Sequence, residues 1–346
     1  MDALLVSDLL NVRYLTGFTG SNAALVVYAG DRPAVLATDS RYRTQAARQA
    51  PDTELVIERA CGRHLVGRAL ADGAVRVGFE SHVVTVDGYD ALSRELSGHR
   101  GAELVRGSGM VESLREVKDA GELALLRLAC EAADAALTEL IEKGGLRPGR
   151  TERAVARELE ALMGEHGADG PSFETIVATG ANSAVPHHRP TDAVLARGDF
   201  VKIDFGALVG GYHSDMTRTF VLGTVASWQR EIYDLVAAAQ RAGREALAAG
   251  AELCAVDAAS RDVIAGAGYG EHFGHGLGHG VGLQIHEAPG INAAATGSLR
   301  AGAVVTVEPG VYLPDRGGVR IEDTLAVRDS GPELLTRFSK NLAVLG

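Results

Sequence analysis

The sequence predicts two domains: a smaller α/β domain over residues 1–115 and a larger α+β domain over residues 116–346. Three observations carry this. At 346 residues the chain exceeds one typical domain. Its N-terminal third alternates short strand and helix signals. Beyond that, long amphipathic helices keep company with strands joined by hairpins, the pattern of helices packed on an antiparallel sheet.

In the first domain, apolar runs at 3–6 and 23–27 read as strands. The second pairs with 34–37 across the turn-rich AGDRP. Asp39 or Ser40 can cap a helix running to Arg48. Strand signals follow at 53–57, 75–79 and 102–105, separated by helices near 64–70 and 89–96, so a mixed sheet covered by helices is expected. The second domain opens with a long helix over 119–143, in which Leu123, Leu126, Ala129, Ala133, Leu137 and Leu140 recur at three and four residues. GGLRPG ends it. Further helices are expected over 151–166, capped at Thr151, over 227–248, capped by Ser227, and over 255–265. Strands are expected at 175–178, 200–207, 216–222, 281–285, 303–307 and 319–327. Glycine is dense at 266–282, where the backbone is expected to approach something closely.

Composition narrows the function. A net charge of -11 argues against a nucleic-acid or anionic-membrane partner, since phosphate binding needs a basic surface. Cys61, Cys130 and Cys254 are widely spaced and form no CxxC, which fits a reducing cytoplasm rather than a disulfide framework. The start, MDALLVSDLLNVRY, has no basic leader region, and no apolar run approaches the ~20 residues of a membrane span. There is no GxxxxGK[ST], GxSxG or HExxH, so P-loop, serine-hydrolase and zincin chemistry drop out.

Two segments read as β-hairpins with an acid on each arm. VKIDFGALVGGYHSDMTRTF, at 201–220, carries Asp204 and Asp215; VVTVEPGVYLPDRGGVRIED, at 304–323, carries Glu308 and Glu322. A turn centred between Val209 and Gly210 opposes the two aspartates directly, whereas one at Gly210-Gly211 makes them diagonal neighbours on one face. A turn centred on Asp315 sets Glu308 opposite Glu322. Like charges opposed on a sheet destabilise it, so two such pairs call for a cation, unless the acids merely face solvent at strand ends. Between the hairpins lies HFGHGLGHGVGLQIHE, with His272, His275, His279 and His286. Carboxylates with an imidazole and no thiolate suit manganese, cobalt or iron, and also accept zinc. A water shared by two such ions loses its proton near neutral pH, which points to hydrolysis at a carbonyl or phosphoryl centre.

KIDFGALVGGYHSDMTRTF, HFGHGLGHGVGLQIHE, TVEPGVYL and GGVRIEDT resemble the signature segments of the pita-bread metallopeptidases. That family includes Xaa-Pro aminopeptidase (aminopeptidase P), Xaa-Pro dipeptidase (prolidase), methionine aminopeptidase and the metal-free creatinase. YLTGFTGSNAALVV and TDSRYRTQA resemble the creatinase-like N-terminal domain of the Xaa-Pro branch. The resemblance implies a pita-bread catalytic domain over 116–346, preceded by a creatinase-like α/β domain over 1–115. It implies two divalent ions, manganese first among them. Asp204 would bind one, His279 and Glu308 mainly the other, and Asp215 and Glu322 would bridge both. Glu308 would also serve as general base or proton shuttle for a metal-bridging hydroxide. His187, in NSAVPHHRP, and His275 and His286 would hold the substrate and stabilise the tetrahedral intermediate. Arg320 would order the site, and Tyr312 would stand near the leaving group. His188 is expected to be solvated. Peptides with proline second are the implied substrates. The scissile nitrogen there is tertiary and offers no N–H for strand-like docking, so a polarised carbonyl must replace docking. A homodimer is implied by analogy.

Within the branch, all five ligand positions are filled, against a creatinase-like chain or a binding protein with a dead site. The N-terminal domain argues against a methionine aminopeptidase. A dipeptidase must recognise the free carboxylate after proline, ideally through a bidentate arginine. Small prolidases often place an arginine after HExP; this chain reads HEAPGIN, with Gly290 there. The expectation is therefore an Xaa-Pro aminopeptidase, with the dipeptidase as the alternative and Arg189 as the substitute charge it would use.

Overall fold

The computed structural model describes residues 1–346. The chain forms two compact units, Met1–Arg115 and Glu116–Gly346. The first is a six-stranded mixed sheet of β1 (Ala3–Val6), β2 (Ala23–Tyr28), β3 (Val35–Thr38), β4 (Glu54–Ile57), β5 (Arg76–Phe79) and β6 (Glu103–Arg106), in the order β4-β3-β2-β1-β5-β6. Its helices are α1 (Leu9–Thr16), α2 (Arg43–Gln49), α3 (Cys61–Ala71), α4 (Val86–Glu95) and α5 (Glu112–Arg115). Strand alternation buries both faces: Ala24 and Val26 point toward Leu65, Val66 and Ala69 of α3, while Leu25 and Leu36 point toward Val12 of α1 and Ala46 of α2. The helix α1 is not among the predicted elements. It is two turns long, and its signals are local: Asp8 accepts the Leu10 and Asn11 amides, and Gly17 closes the helix at φ 76°.

The second unit repeats one plan twice. Helices α6 (Ala120–Glu142) and α7 (Glu152–Glu165) pack on β8 (Ile176–Thr179), β9 (Phe200–Phe205) and β12 (Met216–Leu222), joined at the edge by β20 (Val344–Leu345). Helices α8 (Ser227–Glu245) and α9 (Leu253–Gly266) pack on β13 (Gly278–Gly280), β14 (Glu287–Ile291), β15 (Val304–Val307), β18 (Asp323–Ala326) and β19 (Glu333–Leu334). A small sheet of β7 (Gly170–Pro171), β10 (Ala207–Val209) and β11 (Tyr212–His213) and a ribbon of β16 (Gly310–Leu313) and β17 (Gly317–Arg320) complete it. Asp119 and Glu122 form a reciprocal capping box on α6, and Thr151 caps α7 through the Ala154 amide. Ser227 does not cap α8. It lies inside the first turn, and Gln229 reaches back to the Ala226 amide instead.

Two predicted strands are divided and a third is absent. Residues 200–207 break at Gly206. Residues 319–327 break at Ile321-Glu322, where the Glu322 amide leaves its own sheet to bond the Thr217 carbonyl of β12 at 3.1 Å. Residues 281–285 form no strand; the ladder uses β13 and β14 on either side of them. The breaks at Gly206 and at Ile321-Glu322 fall beside carboxylates from the two hairpins.

Candidate metal centre

Alternation along β9 sends Val201, Ile203 and Phe205 into the core beneath α6 and α7, and leaves Lys202 and Asp204 on the opposite face. Asp204 pairs in register with Thr217, and the turn falls at Gly210-Gly211, both with positive φ. Asp204 and Asp215 are thus diagonal neighbours, the second of the two registers open to the sequence. In the other hairpin, Val307 pairs with Asp323 and Gly310 with Arg320, so the continuing register sets Glu308 opposite Glu322. Pro309 has no N–H to continue the ladder, and the Glu308 amide bonds the Leu277 carbonyl at 2.8 Å.

These elements converge on one cavity of ≈ 450 Å³ lined by Asp204, Asp215, His279, Glu308 and Glu322, with His187, His275 and His286 around them. His279 Nε2 lies 3.3 Å from Glu308 Oε1 and 3.6 Å from Asp215 Oδ2. Its Nδ1 faces the Gly280 carbonyl at 3.1 Å, which fixes the proton on Nδ1 and turns Nε2 to the acids. The His279 and His286 rings meet edge to face, 4.4 Å between centroids. Arg320 is buried behind the acids. Its Nη2 donates to Asp204 Oδ2 at 2.5 Å, its Nε to Thr217 Oγ1 at 2.9 Å and its Nη1 to Tyr312 Oη at 2.8 Å. Thr217 Oγ1 donates onward to Glu322 Oε2 at 2.6 Å.

The protein's own cations compensate only part of this charge. Burial would raise the Glu308 carboxyl, but the bond and charge of His279 carry it below its usual value, and His279 rises in turn. Asp215 and Glu322 have no lysine or arginine in ion-pair range. Burial first, then Glu322 for Asp215 and Glu308 for Glu322, pushes both far above the ordinary carboxylate range. Donor atoms of Asp215, His279 and Glu322 all lie within 4.8 Å of one another. Asp204 Oδ1 is buried with no hydrogen-bond partner. Oxygen donors with one imidazole, an orphaned carboxylate oxygen and two acids held against their own repulsion fit a divalent cation.

Tyr312 and Arg320 do not line the cavity. Tyr312 stands behind His275, with its hydroxyl 2.8 Å from His275 Nε2, and burial raises its phenol to about 12. Since His275 Nδ1 faces the Gly276 carbonyl at 2.8 Å, the phenol is the donor and His275 is held as one neutral tautomer. His188, expected in solvent, has a side chain only 12% exposed and bonds the buried Glu152 at 2.8 Å. His272 lies on a short turn against Tyr269, away from the cavity. Four groups escape the sequence reading. Phe173, Ile176 and Ile285 give the cavity an apolar wall, and Lys202, fully buried, donates to the Val185 and Pro186 carbonyls. The signal for Lys202 was present in the VKIDF alternation, which puts it on the face of Asp204. Arg189 lines the cavity mouth, exposed and paired with Glu174 at 3.0 Å.

The model for metallopeptidase family M24 matches residues 124–329, and that for the creatinase/prolidase N-terminal domain matches residues 1–117. The chain is 35% identical to an Xaa-Pro dipeptidase of Pyrococcus horikoshii, over 99% of this chain and 94% of that one. Among solved structures it is similar to an Xaa-Pro dipeptidase from Bacillus anthracis, with a TM-score of 0.93 and 39% identity over 99% of this chain and 95% of that one. It is also similar to an X-Pro aminopeptidase from Thermotoga maritima, with a TM-score of 0.91 and 32% identity over 100% of this chain and 98% of that one.

Proposed function

The chain belongs to metallopeptidase family M24, and from that premise we propose that it is a metal-dependent Xaa-Pro dipeptidase. This reverses the order expected from Gly290. One observation carries it beyond the names of the relatives: Arg189 is the only arginine or lysine on the cavity wall, which it shares with the apolar Phe173 and Ile176. A proline ring on that patch would bring its free carboxylate toward a guanidinium. The aminopeptidase reading keeps one observation of its own, since Arg189 is already paired with Glu174.

On this reading Asp204, Asp215, His279, Glu308 and Glu322 would hold two divalent ions, manganese being the first choice for oxygen donors with one imidazole. Such ions polarise a carbonyl and lower the pKa of water. The side chains supply the rest. Glu308 moves the proton toward the leaving nitrogen. His187, His275 and His286 hold the substrate's oxygens, and Tyr312 keeps His275 in its tautomer. Arg320 fixes Asp204 and, through Thr217, Glu322.

The test compares Xaa-Pro, Xaa-Pro-amide and Xaa-Pro-Yaa peptides with manganese, cobalt, iron and zinc. The dipeptidase reading expects cleavage of Xaa-Pro with little of the other two. It also expects Arg189→Ala to raise KM for Xaa-Pro by about 10–100-fold, the worth of one charge-assisted bond or two. Preference for Xaa-Pro-Yaa would hand the function to the aminopeptidase reading.

A further inference from the structure

His187 and Arg189 reach the cavity on a segment that belongs to no sheet, between β8 and β9. Two fully buried side chains, an acid and a lysine, hold that segment. Glu152, the first residue of α7, accepts at Oε1 from the Thr179 amide and Asn182 Nδ2, both at 2.9 Å. At Oε2 it accepts from His188 Nε2 at 2.8 Å, the Thr191 amide at 2.9 Å and Thr191 Oγ1 at 2.7 Å. Those five donors more than occupy the roughly four lone-pair sites a carboxylate offers. On the other side, Lys202 Nζ donates to the Val185 and Pro186 carbonyls at 2.7 and 3.3 Å, and Arg320 Nη1 adds a bond to Pro186 at 3.2 Å. The Lys202 Nζ also lies over the Tyr312 ring, 5.1 Å from its centroid.

A buried acid at a helix start is often just a cap, favoured there by the helix dipole. These two residues do more than that role requires. Every hydrogen bond described for either side chain ends on residues 179–191, and those of Lys202 fall on the two carbonyls just before His187. Burying a charge costs several kcal/mol unless hydrogen bonds replace its water, and for Glu152 the replacements all come from the end of β8 and the loop that follows it.

We propose that Glu152 and Lys202 are positioning residues that lock residues 179–191 in the conformation presenting His187 and Arg189 to the substrate. The substrate's part in this rests on the dipeptidase reading; the lock itself does not. The experiment uses the full chain loaded with manganese, as wild type, Glu152→Gln and Lys202→Met. Amide hydrogen exchange, bound manganese and the separate values of kcat and KM on an Xaa-Pro dipeptide are read together. The expected result is exchange about tenfold faster or more within 179–191, as loss of a bond to a charged group implies. Manganese content stays unchanged, and KM rises about tenfold while kcat falls less. Unchanged exchange in both variants overturns the lock, and faster exchange with KM unaltered overturns its role in presenting the substrate. If the wild type cleaves no Xaa-Pro peptide, the dipeptidase reading falls, and exchange alone decides the lock. Should Glu152→Gln fail to fold, Thr191→Val, which removes a single donor to Glu152, takes its place with the same expected direction.

Discussion

Asp215 and Glu322 are the carboxylates with no lysine or arginine in ion-pair range, and the one imidazole near Asp215, His279 at 3.6 Å, lies closer to Glu308. Arg320 serves Asp204, and His279 serves Glu308. The side chains are 7% exposed for Asp215 and fully enclosed for Glu322, so water screens their repulsion poorly. The conflict costs stability unless a divalent cation resolves it, and that gives opposite signs to one substitution under two conditions. In chelator, Asp215→Asn removes a charge from a repelling pair, so the variant should unfold above the wild type. A gain of about 1 kcal/mol would raise Tm by roughly 2–4 °C for a unit of this size. In excess manganese the order should invert, because the wild type alone keeps the full ligand set, and turnover of the variant should be abolished. Thermal scans of both proteins in both buffers check this. A variant less stable than wild type in chelator as well would mean that Asp215 is held by ordinary bonds and not against repulsion.

At the scale of elements, each acid owes its place to an interruption. The sequence made the hairpins legible, because glycine pairs and alternating acids are local signals, and it left two registers open for the first. Gly210 and Gly211, at φ 55° and 82°, resolve that in favour of the two-residue turn that suits a hairpin's twist. The break at Gly206 was not legible, since it depends on a strand crossing that no local pattern announces. A Cβ at Gly206 would stand 1.8 Å from the Ser214 carbonyl oxygen, so the backbones at this point approach closer than any side chain allows. Gly206→Ala should therefore pry apart the arms that carry Asp204 and Asp215. Overpacking of this kind costs about 1–3 kcal/mol, and a displaced ligand support weakens metal binding about 10–100-fold. Calorimetric titration with manganese measures it; unchanged affinity would show that the two aspartates are placed by something other than this contact. The second half of the unit supports its histidine loop in a similar way. Asp257, on α9, accepts the Leu277 amide and pairs with Arg261, which in turn bonds the Phe273 and His275 carbonyls. This acid was invisible as a site residue because it touches only backbone and another charge, and helical periodicity alone reads it as an N-terminal turn residue.

Over the whole molecule, the two-domain α/β and α+β plan and the family were legible, because they rest on repeated local patterns and on motifs in order along the chain. The preferred peptide length was not. On the proposed dipeptidase reading it turns on Arg189, which lines the cavity from a segment distant in sequence from Gly290. Each unit also closes its own apolar core: the clusters around β1–β6 draw only on residues of the first unit, and those beneath α6–α9 only on residues of the second. The candidate ligands all belong to the second. A ligand that binds only the folded form stabilises what it binds, by about 2.7 kcal/mol at a free concentration one hundred times Kd. Manganese should therefore raise the unfolding transition of Glu116–Gly346 and leave that of Met1–Arg115 where it is. Differential scanning calorimetry, with hydrogen exchange to assign each transition to its unit, reads this directly. Two transitions, of which one moves with manganese, support independent cores with the metal in the second. Equal displacement of both transitions, or one merged transition that moves as a whole, would mean that the units unfold as one and that the division of the core does not govern stability.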